Sequence, residues 1–486
     1  MVLIGGEAGV GKSRLTEALV ESSANHKRTI LRFQGAPYHT YSPFIPIIEH
    51  LKATIGISDA PGAPNGLDAL HEWLPSKFSD YERALIGALL SSSAEPAVTE
   101  TSSPAQRKAD TIRALGKLLL QCSAPKPGLI LLEDAHWMDP TTHELFESII
   151  EQISMLPLLM VVTHRPEYSP GWGAHVHVTH ILLNRLGKSD VRALVASLLT
   201  ETTLSAELTE QLIEKSDGVP LFAKEMTRSV LESLRLHEAG DSGHKNPGEL
   251  QAVPETLHDS LMACLDRLGK AREIIQLAAT LGRDFSYRLL AAIAGDGEHF
   301  VNSLEHLVDI GLLIRRPTLS CNRNEYAFKH ALVRDVAYQS LLNSVRREHH
   351  ARVAACIEAD FDKIRISQPE VLTRHFTEAE QFEQAIVYWR TADKRYASQA
   401  PLMEASACFE QGISIISKEA QTAAILREAI DLRFLLRRVL WPLGQHNRLL
   451  TTLEQAESLA QQLGDEAWHT KALLYLGLFE THFRCS

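Results

Sequence analysis

Residues Gly6 to Ser13, reading GEAGVGKS, set two glycines four residues apart in the gap and follow the second with lysine and serine. That spacing fits a phosphate-cradling loop: glycine, four residues, glycine, lysine, then serine or threonine. Backbone N–H groups between Gly6 and Gly11 are expected to form a concave nest for phosphate oxygens, glycine permitting the positive φ angles that a nest requires. Lys12 is expected to reach the β- and γ-phosphates and Ser13 to hold Mg²⁺. Glu7, Ala8, Gly9 and Val10 complete the loop, and Arg14 follows it. The same residues would also suit a glycine-rich turn capping a surface helix. Roughly one or two chains in a hundred of this size match the four fixed positions by chance, so the surroundings must decide.

A second group with chemical potential is the acidic pair Glu133 and Asp134, which closes the apolar run Leu129 to Leu132. Phosphoryl transfer needs one carboxylate to hold the Mg²⁺ shell through water and another to orient and deprotonate the attacking water. Glu133 is assigned the first role and Asp134 the second. Alone, an apolar run ending in acids is weak evidence, because many strands exit into solvent this way. Thr163 and Arg165, after the run Leu158 to Val162, are candidates to sense the γ-phosphate. Taken by itself, Arg165 reads as a surface arginine.

These side chains need elements to hold them. Val2, Leu3 and Ile4 predict a strand entering the loop, and a helix leaves it with Leu15, Ala18 and Leu19 on one face and its positive N-terminal end toward the anion. Thr29 to Phe33 predicts a second strand, and Pro43 and Pro46 introduce a helix with Ile47, Ile48 and Leu51 on its apolar face. The runs at Leu129 and Leu158 have the continuous apolar pattern of parallel strands covered on both faces. Ligands of such sheets sit beyond the carboxyl ends of the strands, so Ser13, Asp134 and Thr163 are expected to share one crevice. Ser58 to Asn65 and Ser91 to Pro104 read as surface loops. Three visible apolar residues are few for a strand, and the helical pattern at Leu473 to Phe479 runs close to Ser486, so the chain is expected to be a fragment cut at both ends.

With 486 residues, 45% of them hydrophobic, the chain exceeds what one core usefully holds, and about two to four domains are expected. No apolar run reaches bilayer length, and a cytoplasmic location is expected by default. The six cysteines include no Cys-x-x-Cys pair, which argues against a zinc site and against a disulfide framework. A formal net charge of −11 disfavours wholesale nucleic-acid binding. His175, His177 and His180 alternate with Val176 and Val178 as on an edge strand, and no neighbouring carboxylate or cysteine completes a metal site.

The loop GEAGVGKSR, the segment LILLEDAHWMDPTT at Leu129 to Thr142 and THRPE at Thr163 to Glu167 together resemble the ATPase module of the STAND class. They are most similar to the AAA-type ATPase region that follows class III adenylate/guanylate cyclase domains and precedes tetratricopeptide repeats in bacterial signalling proteins. SDGVPLFAKE at Ser216 to Glu225, VPETLHDSLMACLDRL at Val253 to Leu268 and YAFKHALVRDVAYQSLL at Tyr326 to Leu342 continue the likeness. The resemblance implies ATP or ADP with Mg²⁺, slow hydrolysis and a switch role. It also implies that Gly218, Val219 and Pro220 form a Gly-x-Pro signature near the adenine, and that His330 contacts the ADP β-phosphate in a closed resting state. From the residues alone, Gly218 ends one helix and Pro220 starts the next, while a histidine before a helix is ordinarily a cap or core residue.

The expected order is an α/β phosphate-loop NTPase core with a parallel sheet, truncated at its N-terminus, over 1–185, then a small all-α lid over 186–237 and a linker over 238–252. A winged-helix-like domain over 253–365 and tetratricopeptide-like α-solenoid repeats over 366–486 follow. Helical periods at Leu257, Leu261, Cys264, Leu265 and Leu268 and at Ile274 to Leu281, then Phe300, Leu304 and Leu307 and the run Leu312 to Ile314, predict three helices and a hairpin. Arg315 and Arg316 lie near the wing, but no recognition helix rich in Arg, Lys and Asn accompanies them, so direct nucleic-acid contact is not expected. Ala385, Trp389 and Ala392 are echoed by Ala405, Phe409 and Gly412, and Leu443-Gly444 recurs as Leu476-Gly477, an interval near the tetratricopeptide period. Such repeats present grooves to protein partners, and nucleotide-dependent oligomers are a further expectation. Two other readings stand beside the switch: an ATP-dependent transcription regulator of the LuxR-like large ATPase type whose DNA-binding domain lies outside this chain, and a scaffold with a decayed ATPase.

Overall fold

The computed structural model describes residues 1–24, 28–36, 40, 42–56, 70, 72–90, 103–122, 127–168, 170–199, 204–238, 257–316, 325–385, 387–388, 391, 402–416 and 423–484. In chain order the first elements are β1 (Val2–Gly6), α1 (Lys12–Ala24), β2 (Thr29–Gln34), α2 (Ile45–Ile55), α3 (Asp80–Leu90), α4 (Pro104–Cys122), β3 (Gly128–Glu133), α5 (Pro140–Ile153), β4 (Leu158–His164) and β5 (Thr179–Leu183). Then come α6 (Lys188–Leu198), α7 (Ala206–Lys215), α8 (Pro220–Glu238), α9 (Leu257–Arg267), α10 (Ala271–Leu281), β6 (Asp284–Ser286), α11 (Tyr287–Ala294), α12 (Glu298–Asp309), β7 (Leu313–Arg316) and β8 (Glu325–Phe328). Helices close the chain: α13 (Ala331–Gln339), α14 (Asn343–Asp360), α15 (Asp362–Ser367), α16 (Pro369–Glu378), α17 (Leu402–Ile416), α18 (Ala423–Leu440), α19 (His446–Leu463) and α20 (Glu466–Arg484).

The chain divides into two compact units, one of residues 1–34, 122–136 and 152–346, the other of residues 35–121, 137–151 and 347–486. Segments 35–121 and 137–151, read from the sequence as part of a continuous core over 1–185, group with the C-terminal helices. Packing decides compactness, and packing of segments far apart in the chain leaves no mark at a sequence boundary.

In the first unit β1 to β5 form a parallel sheet in the order β2-β3-β4-β1-β5. Strand β3 is buried along its whole length, as its unbroken apolar run requires of a strand with no solvent face. The register sets Ile4 opposite Thr163 and Gln34 opposite Glu133, so the loop after β1 and the ends of β3 and β4 emerge at one edge. Strand β1 runs five residues, two more than the apolar ones visible in the sequence, because it continues through Gly5 and Gly6. The strand expected over His175 to His180 starts only at Thr179 and lies exposed at the sheet edge.

Helix α1 buries a different face from the one its apolar residues predicted. Leu15 is 43% exposed, whereas Lys12, Thr16 and Ser23 are buried; Leu19 and Val20 pack with Ile4, Leu129, Leu131 and Val161. Lys12 and Thr16, one turn apart, must face the sheet edge to serve the loop, and that requirement overrides the apolar stripe.

Helices α6 to α8 gather around Val191, Val195, Leu212, Ile213, Phe222, Ala223 and Met226, a core of their own. The turn between α7 and α8 is built as its residues predict: Gly218 has φ +71°, and a Cβ there would stand 2.4 Å from the Leu186 carbonyl oxygen. Strands β6, β8 and β7 form a small antiparallel sheet in that order. The pair β7-β8 lies where the run Leu312 to Ile314 predicts a hairpin; β6, three residues long, is too short to show a period.

In the second unit α17, α18, α19 and α20 pack as consecutive neighbours, each on the next, and Ala405 and Phe409 are fully buried on α17. The Leu-Gly repeat does not mark equivalent positions. Gly444 has φ +66° in the turn after α18, while Gly477 lies inside α20. The structural counterpart of Gly444 is Gly464, which caps α19 with φ +69°. Trp389, Ala392, the Ser58 to Asn65 loop and most of the expected linker lie outside the described residues. Among the described residues, no helix is long and apolar enough to cross a membrane.

Candidate functional site

The loop between β1 and α1 takes its shape from three glycines used in two ways. Gly9 and Gly11 adopt φ +80° and +111°, the left-handed region expected of a nest. Gly6 does not; there a Cβ would stand 2.8 Å from Val10 Cγ1 and 3.2 Å from the Leu183 carbonyl oxygen, so glycine serves close approach. At Gly11 a Cβ would meet nothing within 4 Å. That open side, beside the free first-turn N–H groups of α1, fits a phosphate chain.

Lys12 is buried, and its Nζ donates to the carbonyl oxygens of Gly6 at 2.6 Å and Glu7 at 2.8 Å. Burial lowers its pKa, and the nearby Asp134 charge opposes that shift. Ser13 stands exposed at the start of α1. Arg14 does not join the site: its guanidinium lies 3.4 Å from Glu21 on the exposed face of α1.

The two acids at the end of β3 have unlike surroundings. Glu133 is buried, with Oε1 accepting from Thr16 Oγ1 at 2.8 Å and Oε2 from Arg32 Nε at 2.5 Å. Thr16 Oγ1 also lies 3.0 Å from the Ser13 carbonyl oxygen, and its single proton serves one acceptor at a time. Glu133 is thereby fixed by Thr16 and Arg32. Asp134 has φ +53°, unusual for a residue with a side chain, and its N–H donates to Thr163 Oγ1 at 3.0 Å. Thr163 thus positions the backbone of Asp134.

Arg165 lies close enough to Lys12 and His136 for its charge to depress both pKa values. Burial is the larger cause for His136, which is pushed down to about 4 with Asp134 opposing.

Sequence reasoning missed Thr16, Arg32, Arg185 and Arg283. Arg283, just before β6, reaches Asp134 Oδ2 with Nη1 at 2.9 Å. Arg185 donates to Glu7 Oε2 from Nε at 3.1 Å and Nη2 at 2.8 Å and also pairs with Asp217, so it ties the loop to the turn that precedes α8. The N–H of Leu221, next to Pro220, donates to the Gly9 carbonyl at 3.3 Å; Pro220 therefore stands beside the loop at the first position of α8. One signal was available for Arg32, a lone charge inside the apolar run TILRF.

His330 occupies the N-cap position of α13 without capping it. Its Nε2 is buried with no hydrogen-bond partner, and burial, then Lys224, Lys329 and Arg283, push its pKa down to about 4. Of the two ordinary readings, the cap is not made, whereas the buried ring nitrogen fits a core residue.

The loop heading a parallel sheet, with a mostly helical region after it, is phosphate-loop NTPase-like in architecture. Residues 1–162 match the family model described as an AAA ATPase domain. An uncharacterized protein of Rhizobium meliloti (strain 1021) is 25% identical over 435 residues, 88% of this chain and 42% of that protein. The chain spans less than half the length of that relative.

Among solved structures, a Signal Transduction ATPase with Numerous Domains (STAND) protein with a tetratricopeptide repeat sensor from Pyrococcus horikoshii is 14% identical with a TM-score of 0.42; the overlay covers 99% of this chain and 72% of that one. A variant of RuvB from Thermotoga maritima is 14% identical with a TM-score of 0.29, over 67% and 83% of the two chains. Overlays this loose bear on neither domain arrangement nor mechanism.

Proposed function

We propose that this chain binds ATP or ADP with Mg²⁺ at Gly6 to Ser13, hydrolyses ATP slowly, and acts as a nucleotide-controlled switch of the STAND kind. The observation that carries this reading is the convergence of Lys12, Asp134 and Thr163 at the edge where the carboxyl ends of three adjacent strands emerge. Lys12 neutralises phosphate charge, and the N–H groups at the start of α1 receive the oxygens. Ser13 and Glu133 are the residues that would hold Mg²⁺, which when bound would screen charge on the phosphates. Asp134 orients the attacking water. The water oxygen bonds to the γ-phosphorus, the bond to the β–γ bridging oxygen breaks, ADP leaves with that oxygen, and the proton passes to Asp134 and on to phosphate.

The order α10, β6, α11, α12, β7, β8 supports the winged-helix reading of this region, and the packing of α17 to α20 supports tetratricopeptide-like hairpins that receive protein partners. Linkage to a cyclase, a cytoplasmic site and nucleotide-dependent oligomers belong to the same proposal. A decayed scaffold is disfavoured by a buried lysine kept over the loop.

The test is nucleotide affinity and phosphate release in two variants. Lys12→Ala should weaken ATP binding by about a hundredfold or more, and Asp134→Asn should keep binding while losing at least about a hundredfold in turnover. Parent-like behaviour in both would refute the reading.

A further inference from the structure

We propose that Arg283 is a positioning residue that restrains hydrolysis by holding Asp134. The inference rests on the ATPase reading above and adds a regulator to the same site. Asp134 is fixed from two sides: its N–H is held by Thr163 at 3.0 Å and its carboxylate by Arg283 at 2.9 Å. The ion pair is well covered, with the two side chains 14% and 23% exposed. While the guanidinium occupies Oδ2, that oxygen is not free to orient an attacking water.

The restraint comes from outside the parallel sheet. Arg283 is anchored by its own backbone, whose carbonyl accepts from the Phe328 N–H at 2.8 Å, and by the pairing of Asp284 with Ala327. Phe285, Tyr326 and Phe328 pack their rings around this junction, with centroids 6.0 and 6.2 Å from Phe285. Arg283 thus moves with the small sheet as one body, and any displacement of that sheet from the end of β3 breaks the pair. His330 follows β8 by two residues and travels with the same body. A signal that shifts this sheet would therefore change turnover without touching the phosphate loop.

An arginine in the opposite role would point at the γ-phosphate and speed the reaction, so the sign of the effect separates the two. The experiment uses the full chain and measures phosphate release and the affinity for a fluorescent ATP analogue. In Arg283→Gln and Arg283→Met, which keep much of the aliphatic stem, kcat should rise about tenfold with KM changed less than about twofold. Arg283→Lys, which retains the charge, should restore slow turnover. Combining Arg283→Gln with Asp134→Asn should abolish the rise.

A fall in kcat with analogue binding intact, or no change in both charge-removing variants, overturns the restraint and leaves the ATPase reading standing. Loss of analogue binding in the parent itself refutes the ATPase reading instead. Should Arg283→Gln prove poorly folded by thermal unfolding, Arg283→Met and the lysine variant decide.

Discussion

In the parallel sheet the middle strand β3 is buried along its length, whereas the antiparallel sheet β6-β8-β7 leaves Ile314 37% exposed and has strands of three and four residues. The first presents its candidate groups at the ends of its strands: the loop after β1, the acids where β3 ends, the threonine in the last residues of β4. The second carries its charged and titratable candidates at its margins, Arg283 just before β6 and His330 two residues after β8. A sheet covered on both faces must be written as long apolar runs, so its ends are easy to find. A small sheet shares the work of burial with helices, and its functional residues sit in turns that resemble any others.

The comparison is broken most strongly by trimming each sheet at a matched residue. Ile130→Ala, at a fully buried position of β3, should cost about 2–5 kcal/mol of stability in urea unfolding, while Ile314→Ala should cost less than about 1. Equal losses would show that the small sheet carries as much of the core as the large one.

A smaller effect follows from His330, whose pKa is pressed from 6.5 down to about 4, first by burial and then by Lys224, Lys329 and Arg283. Below about pH 6.5 the unfolded chain binds a proton that the folded protein refuses until about pH 4, so stability falls as the pH drops through that window. The contribution is as much as ~3 kcal/mol, and His330→Gln should flatten the pH dependence of the urea midpoint by that share. An unchanged slope would place the buried nitrogen in contact with water.

The smallest effect belongs to the exposed face of α1. Arg14→Ala removes only a 3.4 Å pair between exposed side chains and should leave both stability, within about 0.5 kcal/mol, and nucleotide affinity unchanged. A clear loss of affinity would draw Arg14 into the phosphate site, where the structure does not put it.

Much of the candidate site was legible because it is local in sequence. The loop spacing, the apolar run ending in Glu133 and Asp134, and the strand ending in Thr163 can each be read within ten residues. The partners that define the roles of these groups are not local. Arg32 meets Glu133 across 101 residues, Thr16 across 117, Arg283 meets Asp134 across 149, and Arg185 meets Glu7 across 178. No spacing rule spans such separations. The face of α1 was misjudged for a related reason, since the pattern of Leu15, Ala18 and Leu19 says nothing of a neighbouring carboxylate that needs Thr16. Leu443-Gly444 and Leu476-Gly477 misled in the other direction: identical pairs, one in a turn and one in mid-helix.

The bond from the Leu221 N–H to the Gly9 carbonyl has a mechanical consequence. Helix α8 begins two residues after Gly218, whose turn is wedged against Leu186 with no room for a side chain. A tilt of α8 about that wedge therefore tugs on the loop at Gly9, and a loop that reshapes around an anion pushes back on the helix. Three helices with a core of their own are in this way geared to a stretch of eight residues, and the tooth of the gear is one carbonyl oxygen.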